Sequence, residues 1–508
     1  MKNKKKILLA VFVAVLLSAC WFVWSKWASP TRIALVNFPN YQVSNIALSN
    51  SDSFIKFVDV PLEEIDKLDG YDFVLTWGMG LRINDEQRET FLKIAEKVPT
   101  HFISVTSPEN DITSLSETQL EEVDAYLNSA NKKNYQNFAR YVRTKINGKK
   151  LFATAPEKPA KSIGDAFFYL GEDNHFPTLK DFEAFLKKEK IYKEGKPKVA
   201  FITGIHDPFS GNRQHIDSII VSLEKSGLNV YPFASFGKRI DFLKEINPDA
   251  VIYMPHGRVQ MMDPEVTVEY LKEKNIPLFT PISIIQLEEE WKKNPMGMFG
   301  GFMGQTIVMP ELDGALYPYA LIAQEKSKDG FYMFKAMPER LKTFTQVVNN
   351  YLRLKEKQNA EKKVAIYYFK GPGQNSLVAQ GIEVLPSLYN VLLELRNQGY
   401  KVTGLPSTEA EFEKMVMTQG ALFNSYAEGA LADFIAKGYP QFVSTDSLQS
   451  WMNAVLTPNQ REALNKKYGA APGEYYTMRK GDKEGIAVTA VPFGNVVLLP
   501  QPGQGVGD

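Results

Sequence analysis

The sequence predicts an α/β protein built from repeated doubly wound (Rossmann-like) parallel-sheet units behind an N-terminal membrane anchor. Three observations carry that expectation. Residues 7–24, "ILLAVFVAVLLSACWFVW", hold no charge. From residue 29 onward, short apolar strands alternate with amphipathic helices, the pattern of parallel sheets. Two separated segments, 198–233 and 363–406, share one plan. Each has a Lys-Val-Ala strand start, a Gly/Pro/Asn loop, an amphipathic helix, a glycine and a second strand.

The anchor comes first. "MKNKKK" is basic, and the eighteen-residue run after it would rise about 27 Å as a helix, close to a bilayer core. Trp21, Trp24 and Trp27 sit at its far end, where indole rings favour headgroups. Lysines before the run favour a cytoplasmic N-terminus, which puts the body outside the cytoplasm, on the periplasmic side of an inner membrane. A second reading stays open: "LSAC" (17–20) is similar to a bacterial lipobox, with Cys20 as the lipidated residue.

The body reads in order. Segments 29–38, 71–77 and 100–105 are apolar strands. Residues 84–98 form a helix with Asn84 as N-cap and Phe91, Ile94 and Val98 on one face. Ser116 opens another helix with a capping-box pattern to Gln119. Lysine and proline in 148–162 suggest a linker. In the first repeat, Ile216, Ile219, Ile220 and Leu223 line one helix face; in the second, Leu388, Val391, Leu392 and Leu395 do. Gly227 and Gly399 stand where a helix ends with positive φ. Residues 339–356 form a bridging helix with Leu341, Phe344, Val347, Val348, Tyr351 and Leu352 inward. The expected division is 1–28 anchor, 29–150 α/β domain, 151–195 linker, 196–360 α/β domain and 361–508 second, incomplete α/β domain.

Composition excludes several functions. Net charge is +1, so bulk charge favours no nucleic acid partner. The one cysteine rules out a disulfide, a Cys-ligated zinc or an iron–sulfur cluster in the body. "GPGQNSLVAQG" (371–381) and "WGMGLR" (77–82) hold only G-x-G, short of a dinucleotide fingerprint, and no phosphate-binding G-x-x-x-x-G-K-[ST] occurs. The turn at 371–373 is either a simple strand-end turn or a backbone wall facing a ligand.

Four blocks in order resemble the large subunit of the tetrapyrrole metal chelatases, the CobN and magnesium chelatase H subunit family. They are "GNRQHIDSIIVSLEKSGLNVYP", "NIPLFTPISI" with "IVMPELDGALYPYALIA", "NAEKKVAIYYFKGPGQNSLVAQGIEVLPSLYNVLLELRNQGYKV" and "FGNVVLLPQPGQG". The resemblance implies a tetrapyrrole substrate, haem or a corrin precursor, and divalent iron or cobalt. Family members are longer, and this chain stops inside the last block. It therefore resembles the N-terminal part of such a protein, without the histidine-rich motif and carboxylates that handle metal further on. The anchor is similar to that of the haem-utilisation (HmuS-type) branch, which implies iron removal from haem and haem-uptake partners. Cobalt insertion with AAA+ chelatase subunits, and a binding module without chemistry, are the alternatives.

Candidate residues follow. His206 in "GIHDPFSGN" and His256 in "VIYMPHGR" each follow a strand. In one parallel sheet they would share an edge, as imidazole ligands for haem iron. Arg213 and Arg258 lie near them in sequence and could fork onto propionates; Lys370 is a further cation. Glu311 and Asp313 in "ELDG" are a possible acid or metal pair, or a turn. His215, in a helix's first turn, is expected at the surface. Four methionines in 294–314, with Met254, Met261 and Met262, suggest a soft lid too glycine-rich for helix.

Overall fold

The computed structural model describes residues 2–204, 206–298, 300–369, 378–379, 381–420 and 429–501. It divides into two compact units, 1–352 and 353–508. The first begins with α1 (Lys2–Val23), continued by a π-helical turn, Trp24–Ala28. Residues 11–28 have a mean hydropathy of 1.6 and are long and apolar enough to cross a membrane. Cys20 lies exposed within this helix.

Strands β1 (Thr31–Val36), β2 (Ile55–Val60), β3 (Phe73–Trp77) and β4 (Thr100–Ile103) form an all-parallel sheet in the order β2-β1-β3-β4. Successive side chains point to opposite faces. Ile33, Leu35 and Leu75 pack under α2 (Asn40–Ser49), α4 (Glu117–Asn128) and α5 (Lys132–Tyr141); Ala34, Val36 and Val74 pack under α3 (Asp85–Ala95). Apolar residues on both faces are what a doubly wound sheet demands. Asn84 and Ser116 cap α3 and α4 through full capping boxes.

The second sheet has eight strands. The span 151–195, expected as a linker, supplies β5 (Ala166–Phe168), β6 (His175–Phe176) and α6 (Leu179–Lys188), with Phe167, Phe168, Phe182 and Leu186 buried. The lysines and prolines just upstream mask this apolar pattern. Then come β7 (Lys198–Ile202), α7 (Gln214–Lys225), β8 (Asn229–Ala234), α8 (Arg239–Ile246), β9 (Ala250–Tyr253), α9 (Glu265–Lys274) and β10 (Leu278–Leu287). After α10 (Glu288–Lys293) the methionine segment folds as α11 (Gly300–Met303), a π turn and α12 (Met309–Glu311). It is helical despite its glycines: Thr306 bonds back to the Phe302 carbonyl at 2.8 Å, and Asp313 anchors its end to Arg258. β11 (Ala315–Lys326), β12 (Tyr332–Ala336) and α13 (Pro338–Glu356) complete the sheet's elements. The order is β12-β11-β10-β9-β7-β8-β5-β6, parallel from β11 to β8. Ile216, Ile219, Ile220 and Leu223 are all buried against it. On α13, Phe344, Val348 and Leu352 are buried, whereas Tyr351 is exposed.

In the second unit, β13 (Val364–Tyr368) precedes a hairpin of β14 (Val378–Ala379) and β15 (Ile382–Glu383). Helices α14 (Val384–Asn397), α15 (Glu409–Gln419) and α16 (Ala430–Ala436) follow. The strand expected at 400–406 does not form: Val402 N–H closes a tight turn onto Tyr400, and Lys401 accepts a bond from Asn495 N–H. Instead, β13 pairs in parallel with the late strand β20 (Val496–Pro500), which pairs antiparallel with β19 (Val491–Phe493). Between them in sequence, β16 (Gln441–Ser444), α17 (Thr445–Val455), α18 (Pro458–Tyr468), β17 (Thr477–Lys480) and β18 (Lys483–Val488) make a small antiparallel sheet with helices. Leu388 and Leu392 are buried under α15 as expected, but Val391 is exposed. Lys370 and the turn at 371–373 lie outside the described residues.

Candidate functional site

Both parallel sheets reverse their winding at one point, between β1 and β3 in the first and between β7 and β9 in the second. Connections leave a switch point in opposite directions, so a crevice opens at the strands' carboxyl ends, where open α/β sheets bind ligands. The two switch points differ.

At the first, a cleft of about 870 Å³ opens, lined by Phe38 just after β1 and Trp77 at the end of β3. Their rings lie 5.6 Å apart. Asn37 ties the two strand tips together by donating from Nδ2 to the Trp77 carbonyl at 2.7 Å. Tyr41 from α2 and Tyr135 from α5 extend the aromatic wall. Polar groups converge on it. His101 Nε2 is 3.0 Å from Asp124 Oδ1, while its buried Nδ1 has no hydrogen-bond partner among the described residues. Asp207 reaches the same cleft from the loop after β7. Burial pushes its carboxyl up to about 6, against a bond from Phe209 N–H and the charge of Arg213, which pull it down. Burial also raises the Tyr41 phenol. Among the described residues no lysine or arginine lines the cleft.

At the second switch point the described residues pack closely. Gly204, at φ +62°, lets the β7 tip pass against the Met254 carbonyl beyond β9. His206 follows. Its Nε2 meets Ser283 Oγ at 2.6 Å, and its Nδ1 meets His215 Nε2 at 3.0 Å. Both rings pack on Phe334. Burial drives the His206 imidazole down to about 3 and holds His215 well below its usual value, so the pair is neutral at physiological pH. His215 is 1% exposed, contrary to the surface position expected for it. Its helix opens inside the joint between the two sheets. There Gly211 abuts Leu48, Lys132 N–H bonds the Phe209 carbonyl, and Phe334 N–H bonds Asn212 Oδ1. The "GNRQH" block is thus a joint.

Strands β7 and β9 are adjacent and parallel, so His206 and His256 share one sheet edge. His256 is exposed, and burial with the nearby Arg239 charge lowers its imidazole. Arg213 is buried, with its guanidinium on Asp217, the Tyr169 carbonyl and the Pro208 carbonyl. Arg258 bonds Asp313 at 2.8 Å and Glu265 at 3.2 Å. Asp313 is buried and also accepts Val259 N–H, whereas Glu311 is exposed. Among the described residues no cluster of three His, Cys, Asp or Glu forms a metal cage. Sequence reasoning passed over His101, Asp124 and Asp207. Only the packed structure shows that Asp207, from the loop after β7, meets the tips of β1 and β3 at one cleft.

Asp207 yields a prediction with a definite sign. Its folded pKa stands above its unfolded one, so the folded state holds the extra proton between about pH 4 and 6 and is penalised once both states ionise. Asp207→Asn is expected to stabilise the chain by about 1–2 kcal/mol at pH 8, after discounting for solvent at the cleft, and by little at pH 4. Thermal melts of both proteins at the two pH values check this. Equal shifts at both would refute it.

Comparison with known proteins places this architecture. The profile of the CobN/Magnesium Chelatase family matches residues 124–508. An uncharacterised protein of Methanocaldococcus jannaschii is 24% identical over 76% of this chain and 32% of its own length. The chloroplastic magnesium-chelatase subunit ChlH of Oryza sativa subsp. indica is 24% identical over 62% of this chain and 22% of its own. The aerobic cobaltochelatase subunit CobN of Pseudomonas aeruginosa is 23% identical over 44% and 19%. The chain thus spans no more than about a third of these relatives' length. Its fold matches the catalytic subunit of cobaltochelatase from Mycobacterium tuberculosis with a TM-score of 0.66 at 17% identity, over 94% of this chain and 39% of that one. A profile spanning well over half the sequence, on a fold of the same kind, shows that this chain belongs to the CobN/magnesium chelatase family.

Proposed function

We propose that the aromatic cleft at the first switch point receives a flat tetrapyrrole, and that the protein takes part in removing iron from haem on the outer side of a membrane. The carrying observation is the cleft itself. Its volume of about 870 Å³ lies within the range of small-molecule sites, and rings and acids converge on it. Demetallation breaks the bonds from the pyrrole nitrogens to a divalent metal and forms two N–H bonds, so the site must deliver two protons. Asp207, protonated up to about pH 6, can give one. The hydrogen-bonded His101–Asp124 pair can hold and pass another. With no lysine or arginine among the described lining residues, the propionates face solvent, while the carboxylates favour a departing cation. Iron leaves as the ferrous ion, with haem-uptake proteins as the matching partners. The apolar N-terminal helix supports a location at the outer side of the cytoplasmic membrane, away from ATP-driven subunits.

A second reading, cobalt insertion into a corrin precursor, is favoured by the relatives named as cobaltochelatase subunits. It runs the same proton transfers backwards. Titration of the full chain in detergent with haem is expected to shift the Soret band. Trp77→Ser with Tyr41→Ser should weaken binding at least tenfold, about 1.4 kcal/mol or more. Absence of binding, or equal binding by the double variant, would remove the cleft as the site. Free porphyrin released from bound haem under a reductant separates removal from insertion.

A further inference from the structure

The apolar helix does not end in a flexible tether. Only Ser29 and Pro30 separate its last turn from β1. A helix end leaves carbonyls without intrahelical donors, and here the body supplies them. Arg143, fully buried, donates to the carbonyls of Ala28 at 3.3 Å and Ser29 at 2.9 Å. Lys149 Nζ donates to the Pro30 carbonyl at 3.0 Å, and Leu151 N–H to the Trp27 carbonyl at 3.0 Å. The loop at 148–152 is thereby fastened against the helix end.

That loop exposes what a soluble surface avoids. Phe152 is 65% exposed and Leu151 42%. Phe152 also holds φ at +53°, a region bulky residues rarely enter, and stacks on Phe54 with centroids 5.2 Å apart. Trp24 and Trp27 are exposed on the adjoining turn, and Lys26 and Lys150 flank the group. Exposed aromatics bracketed by lysines at the end of an apolar helix match the chemistry of the headgroup boundary.

We propose that Leu151 and Phe152 insert into the same lipid interface as Trp24 and Trp27. The first α/β layer is then held to the bilayer at two points and in one attitude. This rests on the membrane reading of α1. The partner is the lipid surface, argued from the loop's direct hydrogen bond to the helix that would cross it.

The chain's single cysteine makes the test clean. In a Cys20→Ser background, one cysteine each at Leu17, Lys150 or Lys180 carries an environment-sensitive fluorophore. The full chain is reconstituted in phosphatidylcholine–phosphatidylglycerol vesicles with or without doxyl-labelled lipid. Lys150→Cys keeps both apolar side chains in place. Labels at 17 and 150 should be quenched by doxyl lipid at least twofold more than the label at 180, an exposed position of α6. Adding Phe152→Asp should return the label at 150 to the level at 180. Quenching at 17 but not at 150 overturns this proposal alone. No quenching at 17 overturns the membrane reading beneath it. Cross-linking between copies through position 150 without lipid would assign the patch to a protein contact and also overturn the proposal.

Discussion

Arg143→Ala is expected to destabilise the first unit by roughly 3–5 kcal/mol, because one buried side chain serves five acceptors. Besides Ala28 and Ser29, its guanidinium reaches Thr31 Oγ1, the Phe54 carbonyl and the Leu151 carbonyl. Alanine leaves the Ala28, Ser29 and Leu151 carbonyls without this donor, leaves the Phe54 carbonyl with Thr31 N–H, and opens a cavity beside Phe54, whose ring lies 5.3 Å from the guanidinium. Among the described residues no carboxylate contacts the charge directly. Burial lowers its pKa, and the more distant Asp52 and Asp72 oppose that. Arg143→Lys should recover less than half of the loss, since an ammonium cannot fork to carbonyls on several segments. Denaturant titration of the full chain in detergent measures both variants. A loss under about 1 kcal/mol for Arg143→Ala would show that water satisfies these acceptors and that the joint at the helix end is loose.

Periodicity made much of this fold legible. Faces such as Ile216, Ile219, Ile220 and Leu223 are set locally, and so are the caps at Asn84 and Ser116. Pairing between distant segments is not. The second repeat looks like the first through its helix, yet β13 finds its neighbour in β20, far along the chain, because 400–406 turns on itself. The candidate site shows the same division. His206 and His256 were visible as residues after strands. Which histidine is buried against Phe334 and which faces solvent depends on how the β7 loop docks against α2, α5 and β12. His101 and Asp124 lie 23 residues apart, and no local pattern links them.

Gly204→Ala should be the more disruptive of two matched glycine substitutions. Gly204 and Gly227 both hold positive φ, +62° and +99°. A methyl group at 227 meets nothing within 4 Å, so Gly227→Ala should lose only the conformational preference, about 1 kcal/mol. At 204 the added carbon would lie 2.0 Å from the Met254 carbonyl oxygen, on backbone that cannot swing aside. Met254 N–H is already bonded to the Ile202 carbonyl at 2.9 Å, so relief requires prising the tips of β7 and β9 apart. A cost of about 4 kcal/mol or more is expected, with weakened haem binding, because the displaced loop carries Asp207 into the cleft. Gly227→Ala should bind haem as the parent does. Denaturation midpoints and Soret titrations of the two variants decide the matter: equal, small effects would mean that the β7 tip yields and that the second switch point is not the rigid wall from which Asp207 is aimed.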